Sequence, residues 1–404
     1  MTAPLVLTAF TATTALGVGT GPLLDALRAG RSGLKPCDFE DTDIATWIGE
    51  VPGTDAVQLP PDLAAYDCRN HRLALLGLQA DGFEPAARDA IARYGADRVA
   101  LVLGTSTSGI LSAEAAYRER DADGALPAWF DYRTTHNTGA LSSFMRDLLG
   151  LRGPAFTLST ACSSSAKAFA AADRLIAAGL ADAAIVGGVD SLCLTTLYGF
   201  SSLELTSPEP CRPGDVDRQG LSIGEAAAYA LLERADAAPA AAGPCIVLSG
   251  WGESSDAHHM SAPHPEGRGA RAAMAQALQR AGLSARDIGY VNLHGTATPA
   301  NDLSEGAGVA AVFADHADVP ASSTKGMTGH TLGAAGAVEA VISALALQHG
   351  LLPASVGLQT PDPAIPLQIV SGPQPLPHLR HVLSNSFGFG GSNASLVLSR
   401  KEAA

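Results

Sequence analysis

The chain has 404 residues, 47% hydrophobic and 16% charged, with 43 glycines and a formal net charge of −14. That length and apolar content exclude a disordered chain and fit either one large α/β unit or two packed halves. The acidic balance excludes a protein whose main work is binding phosphate backbones, and no apolar run reaches the roughly 20 residues needed to cross a bilayer.

The opening stretch "MTAPLVLTAFTATTALGVGTGPLLDALRAG" reads as strand, glycine turn and helix. It has no Lys or Arg before Arg28, so it lacks the charged start of a secretory signal, and "GVGTG" stands without the rest of a dinucleotide fingerprint. Next, "RVALVLGTSTSG" is a strand running into a Gly/Thr loop. The segment "LSTACSSSAKAFAAADRLIAAG" then gives a short apolar run, a lone Cys162 among hydroxyl side chains, and an alanine-rich helix. The strand-like "AYALLER" leads into a small-residue linker, Arg234 to Pro244, followed by the apolar "CIVLSGWG". After it, "IGYVNLHGTATP" places His294 at a strand end. The segment "ASSTKGMTGHTLGAAGAVEAVISALALQHG" gives a strand, a turn carrying Lys325 and His330, and a long helix. "NASLVLSR" closes the chain as "AAAYALLER" closes the first part. The two parts, 1–236 and 244–404, therefore share one outline, which predicts a duplicated β/α unit.

The six cysteines, Cys37, Cys68, Cys162, Cys193, Cys211 and Cys245, form no C-x-x-C pair, so neither a zinc site nor a disulfide framework is indicated and reduced, cytosolic thiols are expected. Five of them read as small buried apolar side chains. Cys162 differs in its company. A strand-to-helix corner exposes backbone N–H groups and the positive end of the helix dipole, which favour a thiolate. Two histidines at probable strand ends, with a lysine five residues before the second, add groups of the kind that open α/β sheets gather there. A single histidine in such a loop is more often a cap, and His136, His258, His259 and His264 keep that reading.

Taken together, "GTGPLLDALRAGRSGL", "GLRGPAFTLSTACSSS", "AAIVGGVDS", "CRPGDVDRQGLSIGEAA", "HGTATPAND", "STKGMTGHTLGAAGAVEA" and "SNSFGFGGSNASLVL" resemble, in order and nearly end to end, the β-ketoacyl-acyl carrier protein synthases, decarboxylating condensing enzymes of fatty-acid and polyketide synthesis. The resemblance implies a thiolase-like α/β fold, two duplicated halves in five αβαβα layers, acting as a dimer. It implies that Cys162 accepts the acyl group, that His294 and His330 are the catalytic imidazoles, and that Lys325 stands near them, paired with Glu305. Phe387 and Phe389 match aromatic residues beside the pocket, and the Phe389 N–H is expected to join that of Cys162 in an oxyanion hole. Thr296 and Thr298 match threonines that hold the phosphopantetheine arm on which substrates arrive. No metal and no bound cofactor is implied.

Relatives of the Cys-His-Asn type, and thiolases with a second late cysteine, differ from this chain at His330. Two other functions stay open: a non-catalytic subunit that shapes chain length, and an acyl exchanger on CoA esters. Several relatives read "RPFDADRDGF" and "GEGAG" where this chain has Gly214, Ala226 and Ala228. Thr107 stands where others carry a bulkier gate to the acyl pocket, so a roomy pocket is expected. "CSSS", "NLHGTATPAND" and "SSTK" are similar to ketosynthases of aryl-polyene pathways, which would make the partner a cysteine-lacking homologue; a homodimer is the default. Carrier proteins are acidic, and Arg69, Arg72 and Arg133 are the candidate docking residues, against a plainer reading as scattered solvated charge.

Overall fold

A computed structural model describes residues 4–239 and 243–402. Ten strands carry the architecture: β1 (Leu5–Thr13), β2 (Val99–Gly104), β3 (Ala155–Leu158), β4 (Ala183–Asp190), β5 (Ala226–Arg234), β6 (Cys245–Ser255), β7 (Tyr290–Asn292), β8 (Pro320–Ser322), β9 (His381–Gly388) and β10 (Ser392–Lys401). The first five lie in the order β3-β2-β4-β5-β1 and the second five in the order β8-β7-β9-β10-β6, with a two-residue strand, Gln368–Ile369, added at the β8 edge. Both halves are therefore wound 3-2-4-5-1. Their ladders match too: β2 is parallel to β3 and β4, and β7 to β8 and β9, while the last pairs in each half are antiparallel. The sheets join through a two-residue ladder, Leu5 and Val6 of β1 with Leu248 and Val247 of β6.

The helices around these sheets and the site are α1 (Arg69–Leu78), α2 (Phe83–Tyr94), α3 (Ala140–Leu149), α4 (Ser164–Ala177), α5 (Leu194–Ser202), α6 (Arg268–Ala281), α7 (Pro299–Val312) and α8 (Ala335–His349). α4 and α8 lie between the two sheets, in the largest apolar core. α1, α2 and α3 cover the outer face of the first sheet, and α6 and α7 that of the second. This is the five-layer arrangement. Covered on every side, α8 is apolar on all faces apart from buried Glu339 and Ser343, and 89% of the apolar stretch Leu332–His349 is buried inside the protein. Its length and hydropathy would pass for a membrane span, but it is the core helix of the fold. β2 and β4 read as continuous apolar runs for the same reason.

α4 comes very close to the strand ends. A Cβ on Gly104 would stand 2.4 Å from the Ser165 nitrogen, so only glycine lets the helix start settle on β2. The small-residue linker spans the gap between β5 and β6, and its residues 240–242 lie outside the described residues.

Candidate active site

Cys162 sits in the turn from β3 into α4, two residues before the helix begins. The serines beside it hold that turn. Ser164 Oγ accepts the Thr160 N–H at 2.8 Å, and Ser163 Oγ donates to the Thr160 carbonyl at 2.9 Å. Ala161 is held at φ +54, a left-handed conformation unusual for a residue with a side chain, and the turn thereby directs the sulfur into the protein. Cys162 is 6% exposed. Its sulfur lies 2.9 Å from His330 Nε2 and accepts the Phe389 N–H. Burial pushes this thiol up to about 12, while the Lys325 charge and the Phe389 N–H pull it down. The helix start alone therefore does not make a resting thiolate, as the sequence suggested; the proton needs an acceptor, and His330 is the nearest.

His330 follows Gly329, whose φ of +73 and contact with Gly224 suit only glycine. Its backbone is pinned across the halves: its N–H donates to the Ser222 carbonyl at 2.7 Å, and the Gly224 N–H donates to its carbonyl at 2.9 Å. His294 follows β7. Its ring lies 5.3 Å from that of His330, nearly perpendicular. Burial and then the Lys325 charge hold both imidazoles well below their ordinary value, so both are neutral.

Lys325 Nζ lies 3.4 Å from His294 Nδ1 and also donates to the His294 carbonyl. An ammonium has no lone pair, so Nδ1 must accept, and the ring proton is left on Nε2. The sulfur and one nitrogen of each ring lie within 4.8 Å of one another. Such a trio could in principle grip a soft metal ion, but the Lys325 contact makes His294 Nε2 a donor rather than a ligand.

The carboxylate that pairs with Lys325 is Glu339 of α8, both side chains being buried. This corrects the assignment of Glu305. On α7, Glu305 has both oxygens occupied, taking the N–H groups of His294 and Gly295 at 2.8 Å each and Asn385 Nδ2 at 3.1 Å. It braces the backbone of His294, and burial pushes it up to about 7. Glu339 was missed. Its only sequence signal is a lone carboxylate in an otherwise apolar helix.

A cavity of about 200 Å³ opens onto Cys162, His294 and His330. Thr296, Thr298, Phe387 and Phe389 line it as expected. The two threonine hydroxyls bond each other at 2.8 Å. Phe200 of α5, which the sequence did not single out, packs on Phe389 with ring centroids 5.5 Å apart. Thr107 is not among the lining residues; its hydroxyl is spent on buried Asp190 at 2.6 Å.

The docking arginines fare differently from expectation. Arg69 is buried, gripped by Glu225 at 2.7 Å, Asp55 at 2.7 Å and Glu50 at 3.0 Å, so its charge serves the interior rather than a docking surface. Arg72 is partly exposed and forms a two-bond pair with Asp67. Arg133 is exposed and lies outside the cavity lining.

Known proteins share this chain's sequence pattern and fold. Residues 2–238 match the family model described as "Beta-ketoacyl synthase, N-terminal domain", and residues 245–359 match its C-terminal counterpart. A 3-oxoacyl-[acyl-carrier-protein] synthase 2 of Vibrio cholerae is 33% identical over 394 residues, covering 93% of this chain and 94% of the relative. Another from Rhizobium meliloti is 42% identical over 259 residues, 62% of each chain. Among solved structures, the ketosynthase ApeO in complex with its chain length factor ApeC, from Xenorhabdus doucetiae, is 40% identical, with a TM-score of 0.86 over 99% of this chain and 98% of that one.

Proposed function

The chain belongs to the β-ketoacyl synthase family and is a condensing acyltransferase, and from that premise we propose that Cys162, His294 and His330 carry out the decarboxylative condensation of malonyl-carrier protein with an acyl group held on Cys162. The observation that carries this reading is the meeting of one sulfur and two neutral imidazoles, from different halves of the chain, at the floor of one cavity.

In the first half-reaction the Cys162 thiol gives its proton to His330 Nε2 as the sulfur attacks the carrier thioester. The carrier leaves as a thiolate and takes that proton, so the enzyme ends as a thioester and the carrier as a free thiol. In the second, malonyl-carrier loses carbon dioxide and its electron pair moves into an enolate. His294 Nε2–H is a fixed donor to the enolate oxygen. His330 Nδ1 has no hydrogen-bond partner among the described residues, so this ring is free to hold its proton on either nitrogen, accepting in one half-reaction and donating in the other. Each such donor contributes about 3 kcal/mol. The enolate carbon then attacks the acyl-Cys162 carbonyl. The Cys162 and Phe389 N–H groups hold the tetrahedral oxyanion until the sulfur leaves as a thiolate; the product departs as 3-oxoacyl-carrier, and the thiolate takes up one proton from solvent to restore the thiol.

We further place the chain in a type II pathway of aryl-polyene kind, in the cytoplasm, working with a homologous subunit that lacks the nucleophile. The likeness to a ketosynthase bound to a chain length factor and the "CSSS" turn support this. The phosphopantetheine arm enters past Thr296 and Thr298, and the carrier docks at the cavity mouth. Supplying an acyl-carrier and then malonyl-carrier, with and without such a partner, tests the reading: carbon dioxide and a 3-oxoacyl-carrier are expected. No product in either case would favour a non-catalytic subunit, and reaction only with CoA esters would favour an exchanger.

A further inference from the structure

Lys167 lies in α4, five residues after Cys162. It is half-buried, its ammonium forms no ion pair among the described residues, and its one hydrogen bond is to Ser392 Oγ at 2.6 Å. Burial of an unpaired cation is unfavourable, so an apolar side chain would cost less there unless the contact does something. Ser392 is the residue at which the loop Phe389–Gly391, which follows β9, enters β10, and Ser163 Oγ approaches the same hydroxyl at 3.5 Å.

The preceding residues are fixed in the β9–β10 ladder, where Phe387 pairs with Asn393 and Gly388 with Ser392, and Phe389 packs on Phe200, so the tie bears on the short tip between the two strands. On its outer side, the Gly390 N–H donates to the Met260 carbonyl at 2.7 Å and the Asp256 N–H donates to the Gly391 carbonyl at 2.9 Å, both in a segment with exposed His258, His259 and Met260. Gly390 and Gly391 have φ of +75 and +71, and a Cβ on Gly390 would meet nothing within 4 Å. On the inner side the end of β9 presses on the nucleophile turn, where a Cβ on Gly388 would stand 2.9 Å from the Thr160 carbonyl oxygen and 3.2 Å from the Cys162 nitrogen. Gly391 is held, because a Cβ there would stand 2.6 Å from the Asp256 Cβ, so the freedom lies at Phe389 and Gly390, between that anchor and the nucleophile turn, and this tip swings unless it is tied.

We propose that Lys167 is a positioning residue for the condensation: through Ser392 it ties the Phe389–Gly391 loop to the helix that follows the nucleophile, and so keeps the Phe389 N–H on the Cys162 sulfur. The inference rests on Cys162 and Phe389 working as described above, and its structural half can be measured without any turnover.

The test compares Lys167→Met, Lys167→Arg, Ser392→Ala and the Met/Ala double variant in the full chain, with its partner where one is needed. Amide hydrogen exchange of the peptide spanning 387–392 should speed up about tenfold in Lys167→Met and Ser392→Ala while the rest of the protein is unchanged. The kcat for condensation should fall about tenfold with KM for both carriers within about twofold, because a misplaced donor affects the transition state rather than binding. Lys167→Arg should restore kcat to within about threefold of wild type, and the double variant should be no worse than either single one. Unchanged exchange in that peptide, unchanged kcat in Lys167→Met, or losses that multiply in the double variant would overturn the tie. If Lys167→Met does not fold, the smaller change in Ser392→Ala gives the same readings. A wild-type protein that makes no product would remove the functional reading, and the exchange measurement would still decide whether Lys167 holds the loop.

Discussion

His330 Nε2 lies 2.9 Å from the Cys162 sulfur, although the two residues are 168 positions apart and belong to different halves of the duplicated fold. Each half alone carries an incomplete site. The nucleophile turn comes from the first, both imidazoles from the second, and the His330 backbone is pinned by Ser222 and Gly224 of the first.

This contact sets the pH dependence of acylation. With the Cys162 thiol pushed up to about 12 and both imidazoles neutral, little thiolate exists between pH 6.5 and 9, and His330 is unprotonated throughout. The acylation rate at saturating acyl-carrier should therefore change by less than about twofold over that range. A rate rising about tenfold per pH unit would mean that a titrating thiolate attacks without the ring.

The partner of Lys325 is decided by comparing two carboxamides. Glu339→Gln leaves a buried ammonium without its counter-charge and should destabilise the fold by about 3–5 kcal/mol, as well as shifting His294 and lowering kcat. Glu305→Gln leaves the ion pair intact. Urea unfolding of both variants checks this, and a larger loss of condensation from Glu305→Gln together with normal stability in Glu339→Gln would contradict the pairing.

Glu305 should also leave a mark on stability against pH. Burial raises its carboxyl from 4.5 in the unfolded chain to about 7 in the fold, so the folded state favours the protonated form. Its contribution is fully present below about 4.5 and is lost as pH rises through about 7, by as much as about 3 kcal/mol. Relative to Glu305→Gln, the wild-type unfolding free energy should fall between pH 5 and 7.5. A constant difference between the two proteins over that window would show that this group does not titrate there.

Arg69 should behave as a structural cation. Reversing it to Glu adds a fourth carboxylate to Glu50, Asp55 and Glu225 and should destabilise the fold by more than about 3 kcal/mol. Arg72→Glu, at a partly exposed pair, should change stability by no more than about 1 kcal/mol. Thermal unfolding and the KM for carrier-bound substrate separate the roles; a stable Arg69→Glu protein with a raised KM would return Arg69 to the docking surface.

What could be read from the sequence was what is local. Cys162 and His330 each sit in a small-residue turn before a long helix, His294 sits just past a strand end, and the repeated outline announced the duplicated fold. Roles that arise between elements were harder to see. Glu339 reaches Lys325 only because α8 is sandwiched between the sheets, whereas Glu305, closer in sequence to His294, is taken up by backbone N–H groups. Arg69 looked like a surface charge because its main partner, Glu225, is 156 positions away. Thr107 was placed at the acyl gate, but its hydroxyl is committed to Asp190 at the end of β4.

The most direct test is intact-protein mass spectrometry in two stages. After acyl-carrier alone, the wild-type protein should gain one acyl mass on Cys162. After malonyl-carrier it should lose that mass as 3-oxoacyl-carrier and carbon dioxide appear, while Cys162→Ala gains no mass and forms no product. Acylation at another residue, or product formation by Cys162→Ala at a rate comparable to wild type, would contradict the account.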